Sequence, residues 1–199
     1  IGDGGQSTGV TYEGLNFAAV QKLGLVLIVE NNIWAYSTPN DDQFLVKDLA
    51  ERAIAYGIPG VIVDGTDACQ VYDAAHEACE RARRGEGPTL IEAKMMRMKG
   101  HAIHDAAQYV PKELFDYWSR REPYARLESY LVKVKKWLTP DANAKLRRSA
   151  CAPPTSARSI VVAWASRAAA VAVRQVAMSS VLGGVAAIWA HTRVYTRGR

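Results

Sequence analysis

The sequence predicts an α/β fold, a parallel sheet with helices on both faces. Two observations carry that reading. Short apolar runs alternate with amphipathic stretches through residues 1–143 of the 199, the pattern of repeated strand–helix units. In addition, Gly2-Asp3-Gly4 and Asn31-Asn32 are separated by 26 residues that contain one helical and one strand-like stretch. In such folds the loops that follow the strands gather at one sheet edge, where ligands bind.

Taken in order, Tyr12 to Leu23 is expected to be a helix and Leu25 to Val29 an apolar strand. Asn31 to Asp42 is polar, and Ser37-Thr38-Pro39 within it suits a turn ahead of a helix. Val46 to Tyr56 follows as a short helix with Leu45, Leu49, Ala53 and Tyr56 on one side. Gly57-Ile58-Pro59-Gly60 ends it, and Val61 to Val63 is a short buried strand with Asp64-Gly65 as its exit turn. Asp67 to Arg84 is the clearest helix. Asp67 is its expected N-cap, Val71, Ala74, Ala75, Ala78 and Ala82 form its apolar stripe, and Gly85, Gly87 and Pro88 stop it. The Arg81, Arg83 and Arg84 trio suits the negative end of that helix, and His76 reads as solvated or partly packed. Thr89 to Met96 is the last strand, and it leads into a basic loop from Arg97 to Asp105. Two amphipathic helices, Lys112 to Arg121 and Glu122 to Leu138, complete the ordered part.

The chemistry suited to the shared edge is a metal-chelated diphosphate. Mg²⁺ takes about six oxygens at roughly 2.1 Å, only a few of them from protein. Asp3 offers a carboxylate, Asn32 a carboxamide and Trp34 a backbone carbonyl, while Gly4 and Gly5 let backbone approach a phosphate closely. A lone Gly-Asp-Gly is also a good tight turn; the second motif one helix and one strand later makes it specific. His101 leaves the last strand toward the same edge, where an imidazole can donate to a phosphate oxygen or a reacting oxo group.

GDGGQSTGVTYEGLNFAAVQKLGLVLIVENNIWAYSTP, residues 2–39, resembles the thiamine-diphosphate motif. It is most similar to that of the alpha subunit of the first, decarboxylating component of 2-oxo acid dehydrogenases, the type shared by pyruvate, branched-chain and acetoin dehydrogenases. RMKGHAIHDAAQYVP, from Arg97 to Pro111, resembles the family's second signature, a loop that orders over bound cofactor. The resemblance runs from residue 2 to about residue 143 and implies the thiamine-diphosphate-binding fold. It also implies that Asp3, Asn32 and the Trp34 carbonyl hold Mg²⁺. Gly4 and Gly5 match the diphosphate-facing positions, and His101 the histidine associated with diphosphate and acyl transfer. The Ser37–Pro39 segment would border the thiamine site. The implied partners are a beta subunit in a heterotetramer and a lipoyl-bearing acyltransferase; the implied substrate is a small 2-oxo acid. Mitochondrial members carry a phosphoserine after the loop histidine; here that position is Ala102, with no Ser or Thr between Lys99 and Tyr109. That switch is expected to be absent and a bacterial-type enzyme is implied. His104 receives no role.

Charge and cysteine content bound the alternatives. Residues 1–141 carry a net charge of −4, whereas residues 142–199 carry +9 and no acid. The overall +5 is therefore a property of the tail and does not argue for nucleic-acid binding. Cys69 and Cys79 lie ten residues apart on one expected helix, about 15 Å along its axis, too far for a disulfide. With no CxxC pair, a reducing cytoplasm is the plain reading. Only Ile1 precedes the first motif, so the strand that presents it is expected upstream, making this the carboxy-terminal portion of a subunit. Residues 144–199 form a basic tail rich in Ala, Val and Arg, outside the expected fold. Gln175 to His191 is free of charge but interrupted by Gly183-Gly184. Out-of-frame translation of GC-rich DNA is favoured there over an interfacial helix or a membrane span. A nucleotide-binding module lacks both GxxxxGK[ST] and GxGxxG, and a non-catalytic fragment with a basic tail is the remaining alternative.

Overall fold

The structure is a computed structural model and describes residues 1–151. The expectations for the tail beyond residue 151, including the Gln175–His191 stretch, lie outside the described residues. The chain divides into two compact units, Ile1–Leu127 and Glu128–Arg199.

The first unit is built on three parallel strands, β1 (Val26–Asn31), β5 (Thr89–Lys94) and β4 (Gly60–Asp64), in the order β1-β5-β4. Strand β5 is central and buried along nearly its whole length, as expected for a strand covered on both faces. Ile1 and Gly2 run beside β1. Gly2 forms a parallel bridge to Glu30, and Glu30 N donates to Ile1 O at 2.8 Å. The short hairpin β2 (Trp34–Ala35) and β3 (Thr38–Pro39) follows β1 directly.

Helices cover both faces, because alternate residues of β5 point to opposite sides. Leu90 joins Val29, Leu15, Leu49, Ala50 and Ala53 in one core cluster. This brings α1 (Gly9–Val20) and the 3₁₀ helix Leu49–Tyr56 to that face. Ile91 and Ala93 pack with Val63 and Ala78, the latter from α2 (Ala68–Arg83) on the other face. The α2 start is the one expected: the Asp67 side chain accepts from Cys69 N at 3.0 Å and Gln70 N at 3.2 Å. Its end is also as expected, with Gly85 at φ 72° and the arginines engaging Glu80 and Glu86. His76 is half-buried and stacks on Tyr72 at 5.9 Å.

Several expectations need correction. The helix before Gly57 is a 3₁₀ helix starting at Leu49, held by a reciprocal cap between Asp48 and Glu51; Gly57, at φ 66°, ends it. Leu45, expected on its apolar side, is fully exposed, because the helix starts after it. The first helix does not run from Tyr12 to Leu23. A 3₁₀ turn, Gly4–Ser7, comes first, and α1 spans Gly9–Val20. The final strand stops at Lys94 rather than Met96.

Helix α3 (Lys112–Ser119) lays Leu114, Phe115 and Trp118 against Trp34, Met96, Ala107 and Val110. The expected long helix to Leu138 is shorter: α4 (Pro123–Ser129) passes into a single π-helical turn, Tyr130–Val134. Lys136, at φ 54°, follows that turn. In the second unit, α5 (Pro140–Cys151) contains residue 143, the expected limit of the fold. Its Asn143 and Arg147 side chains both engage Glu128.

Candidate cofactor site at the carboxyl ends of the strands

The parallel register puts the segment after Gly2, the turn after β1, the turn after β4 and the loop after β5 at one edge. Asp3, Asn32, Trp34 and the Arg97–Asp105 loop all belong to these segments.

Asp3 is buried, at 2% exposure. Burial pushes its carboxyl above the usual range, opposed by the Gly4 backbone N–H, the Gln43 side chain and the charge of Arg97. Gly4 is glycine for a packing reason as well, since a Cβ there would fall 2.7 Å from Ala35 Cβ. Gly5 N donates to Gly2 O at 3.0 Å in the 3₁₀ turn.

Asn32 begins a tight turn in which its Oδ1 accepts from Trp34 N at 3.2 Å. Beside it, Asn31 is buried and its Oδ1 accepts from Ile33 N at 3.1 Å. Ile33 sits at φ 77°, an outlier for a β-branched residue held by these side-chain bonds. The Asn40 amide lies between this turn and Asp3. Its nitrogen reaches Asn31 Oδ1 at 2.7 Å in one orientation and Asp3 Oδ2 at 2.7 Å in the other.

Arg97 ties the hairpin to the loop. Its Nη1 donates to Trp34 O at 3.3 Å and lies 3.4 Å from His101 Nδ1. Its Nη2 donates to Tyr36 O and Tyr109 Oη, both at 2.6 Å. The Tyr109 hydroxyl and the His101 and Ala107 backbone N–H groups donate to Asp105, whose carboxyl is held down at about 2. His101 itself is exposed and meets the Tyr36 ring edge-on at 5.0 Å. At the far end of the edge Asp64 accepts from Thr66, Arg121 and Arg126. These bonds outweigh the upward push of burial and hold its carboxyl well below the usual range.

The donor set fits a hard cation with a phosphate ligand. Among the described residues no three His, Cys, Asp or Glu side chains gather for a metal. A cation here would therefore rest on one carboxylate, amide and carbonyl oxygens, and oxygens of its ligand. Asp3 suits that role, being a buried carboxylate whose charged form the positive charge of Arg97 favours. Asn40, Gln43, Tyr36 and Tyr109 were missed from sequence because their partners lie across loops. Glu92, a single acid in the apolar run TLIEAK, left a visible signal.

The family model for the dehydrogenase E1 component matches residues 1–150. The chain belongs to the dehydrogenase E1 component family. It is 44% identical over 139 residues to the pyruvate dehydrogenase E1 component subunit alpha of Acholeplasma laidlawii, covering 69% of this chain and 40% of that protein. It is 41% identical over 150 residues to the same subunit of Staphylococcus aureus strain Mu50, covering 74% of this chain and 40% of the relative. The Staphylococcus epidermidis subunit is 40% identical over the same length and shares. The chain thus spans two fifths of the length of these relatives. Among the described residues no helix is long and apolar enough to cross a membrane.

Proposed function

We propose that this chain is part of the alpha subunit of a 2-oxo acid dehydrogenase and contributes its Mg²⁺-diphosphate site. Asp3, Asn32 Oδ1 and the Trp34 carbonyl would hold Mg²⁺, Gly4 and Gly5 would face the diphosphate of thiamine diphosphate, and His101 would contact phosphate or assist acyl transfer. When bound, the cofactor supplies the nucleophilic carbon and the electron sink for loss of CO₂. The chain's own residues bind and orient. The buried Asp3 carboxylate attracts the cation, Asn40 steadies Asp3, and Arg97 holds the His101 loop against the hairpin. For Trp34 O to ligate a cation, it must share its lone pairs with Arg97 Nη1 or release it.

The observation that carries this reading is the placement of Asp3, Asn32 and the His101 loop at the carboxyl ends of one parallel sheet, in a chain of the E1 family. The names of the relatives favour pyruvate over acetoin as substrate. The reading includes a beta subunit that completes the site in a heterotetramer, a lipoyl-bearing acyltransferase that accepts the acyl group, a cytoplasmic setting, and no activity from this chain alone. Calorimetric titration of thiamine diphosphate, with and without Mg²⁺ and a beta subunit, tests it. Mg²⁺-dependent binding that Asp3→Ala abolishes is expected; an unchanged affinity in Asp3→Ala would show the metal assignment to be wrong.

A further inference from the structure

We propose that Glu92 is the positioning residue of the metal site, orienting its oxygen donors through Asn31; this rests on the donor assignment above. Glu92 is completely buried in the middle of β5. A carboxylate there is tolerated only when its oxygens are satisfied, and both are. Oε2 accepts from Ala50 N at 2.8 Å and Oε1 from Asn31 Nδ2 at 2.7 Å. An acceptor on that side dictates which way the Asn31 amide faces, with nitrogen toward Glu92 and Oδ1 toward the sheet edge.

Two arms leave that Oδ1. One accepts from Ile33 N at 3.1 Å and closes the turn that carries Asn32 and Trp34. The other accepts from the Asn40 amide nitrogen at 2.7 Å; in the reversed amide orientation that nitrogen turns to Asp3 Oδ2 instead, also at 2.7 Å. One carboxylate thus lies behind the turn that carries two of the three donors, Asn32 and Trp34, without touching either. Partners bonded directly to a metal ligand typically contribute roughly 10–100-fold to metal affinity, and Glu92 acts at one remove from that, through Asn31.

The donor–acceptor order supplies the test. In Glu92→Gln the introduced amide keeps an oxygen for Ala50 N but turns its NH₂ on Asn31. The Asn31 amide then reverses, and Ile33 N loses its acceptor. Adding Asn31→Asp restores the order, since that carboxylate accepts from the new NH₂, from Ile33 N and from Asn40. Mn²⁺ binding would be followed by electron paramagnetic resonance on the full chain assembled with a beta subunit and thiamine diphosphate, with melting temperature recorded in parallel. Glu92→Gln is expected to weaken Mn²⁺ binding by roughly 10-fold, the lower end of that range, and the double variant to recover most of the loss. An unchanged affinity in Glu92→Gln, or a double variant binding no tighter than Glu92→Gln, overturns the proposal; the latter result would leave Glu92 only a structural anchor of Ala50. Should the unaltered assembly bind no Mn²⁺ with thiamine diphosphate, the donor assignment itself fails, and this inference with it.

Discussion

Replacing Gly4 by alanine is expected to move the hairpin that carries the Trp34 carbonyl. The new Cβ falls 2.7 Å from Ala35 Cβ, while Ala35 Cα and Gln43 Oε1 lie at an ordinary 3.7 Å. Carbon atoms rest roughly 3.5–4.0 Å apart, so Ala35 must retreat by about 1 Å. Overpacking of this kind costs about 1–3 kcal/mol, and each kcal/mol lowers the melting temperature by roughly 2–4 °C in a chain of this size. Ala35 is adjacent to Trp34 and pairs with Thr38 in the hairpin, so the carbonyl moves with it and the Mn²⁺ affinity it is proposed to support falls. Calorimetric melting and Mn²⁺ titration would report the two effects. Adding Ala35→Gly removes the obstructing methyl and should recover both. A Gly4→Ala chain with unchanged melting and affinity, or a loss that Ala35→Gly does not relieve, would refute the reasoning.

Asp3→Asn is expected to stabilise the metal-free chain at neutral pH while abolishing Mg²⁺ affinity. Burial raises the folded pKa of Asp3, so its contribution to stability is present below the ordinary carboxylate value and lost as pH rises through the folded one; urea melts at pH 7 in chelator that show a destabilised variant would contradict this. Asp105 has the opposite sign, with its carboxyl held at about 2 by the Tyr109 hydroxyl and the His101 and Ala107 N–H groups. Its contribution is present above the ordinary carboxylate value near ~3.9 and fades as pH falls toward the folded one. Amide-exchange protection of His101 and Ala107 should fade across that window and lose its pH dependence there in Asp105→Asn. Asp67→Ala removes the acceptor for Cys69 N and Gln70 N and should cost about 1 kcal/mol, with Asp67→Asn retaining most of it in the same urea melts.

What was legible from sequence was local. The Asp67 cap, the Gly57 and Gly85 helix ends and the strand–helix alternation each depend on residues within a few positions of one another, and all are present. The spacing from Asp3 to Asn32 was legible as well, because one helix and one strand return the chain to the same sheet edge. The 3₁₀ form of Leu49–Tyr56 was not legible: its first turn is pinned by Ala50 N on Glu92, 42 positions away. Nor was the role of Arg97, whose acceptors Trp34 O and Tyr36 O lie 63 and 61 positions back.

By itself, then, the sequence determined the α/β class, the family and the residues proposed to offer oxygen to a cation. Those follow from side-chain chemistry and from periods of a few residues. The tertiary structure decided what surrounds those residues: a buried glutamate in the central strand bonded to Asn31, an asparagine amide that reaches Asp3 in one of its orientations, and an arginine across the hairpin carbonyls. The physical reason is that buried polar groups must find partners wherever packing brings them, and packing joins segments that no local pattern connects.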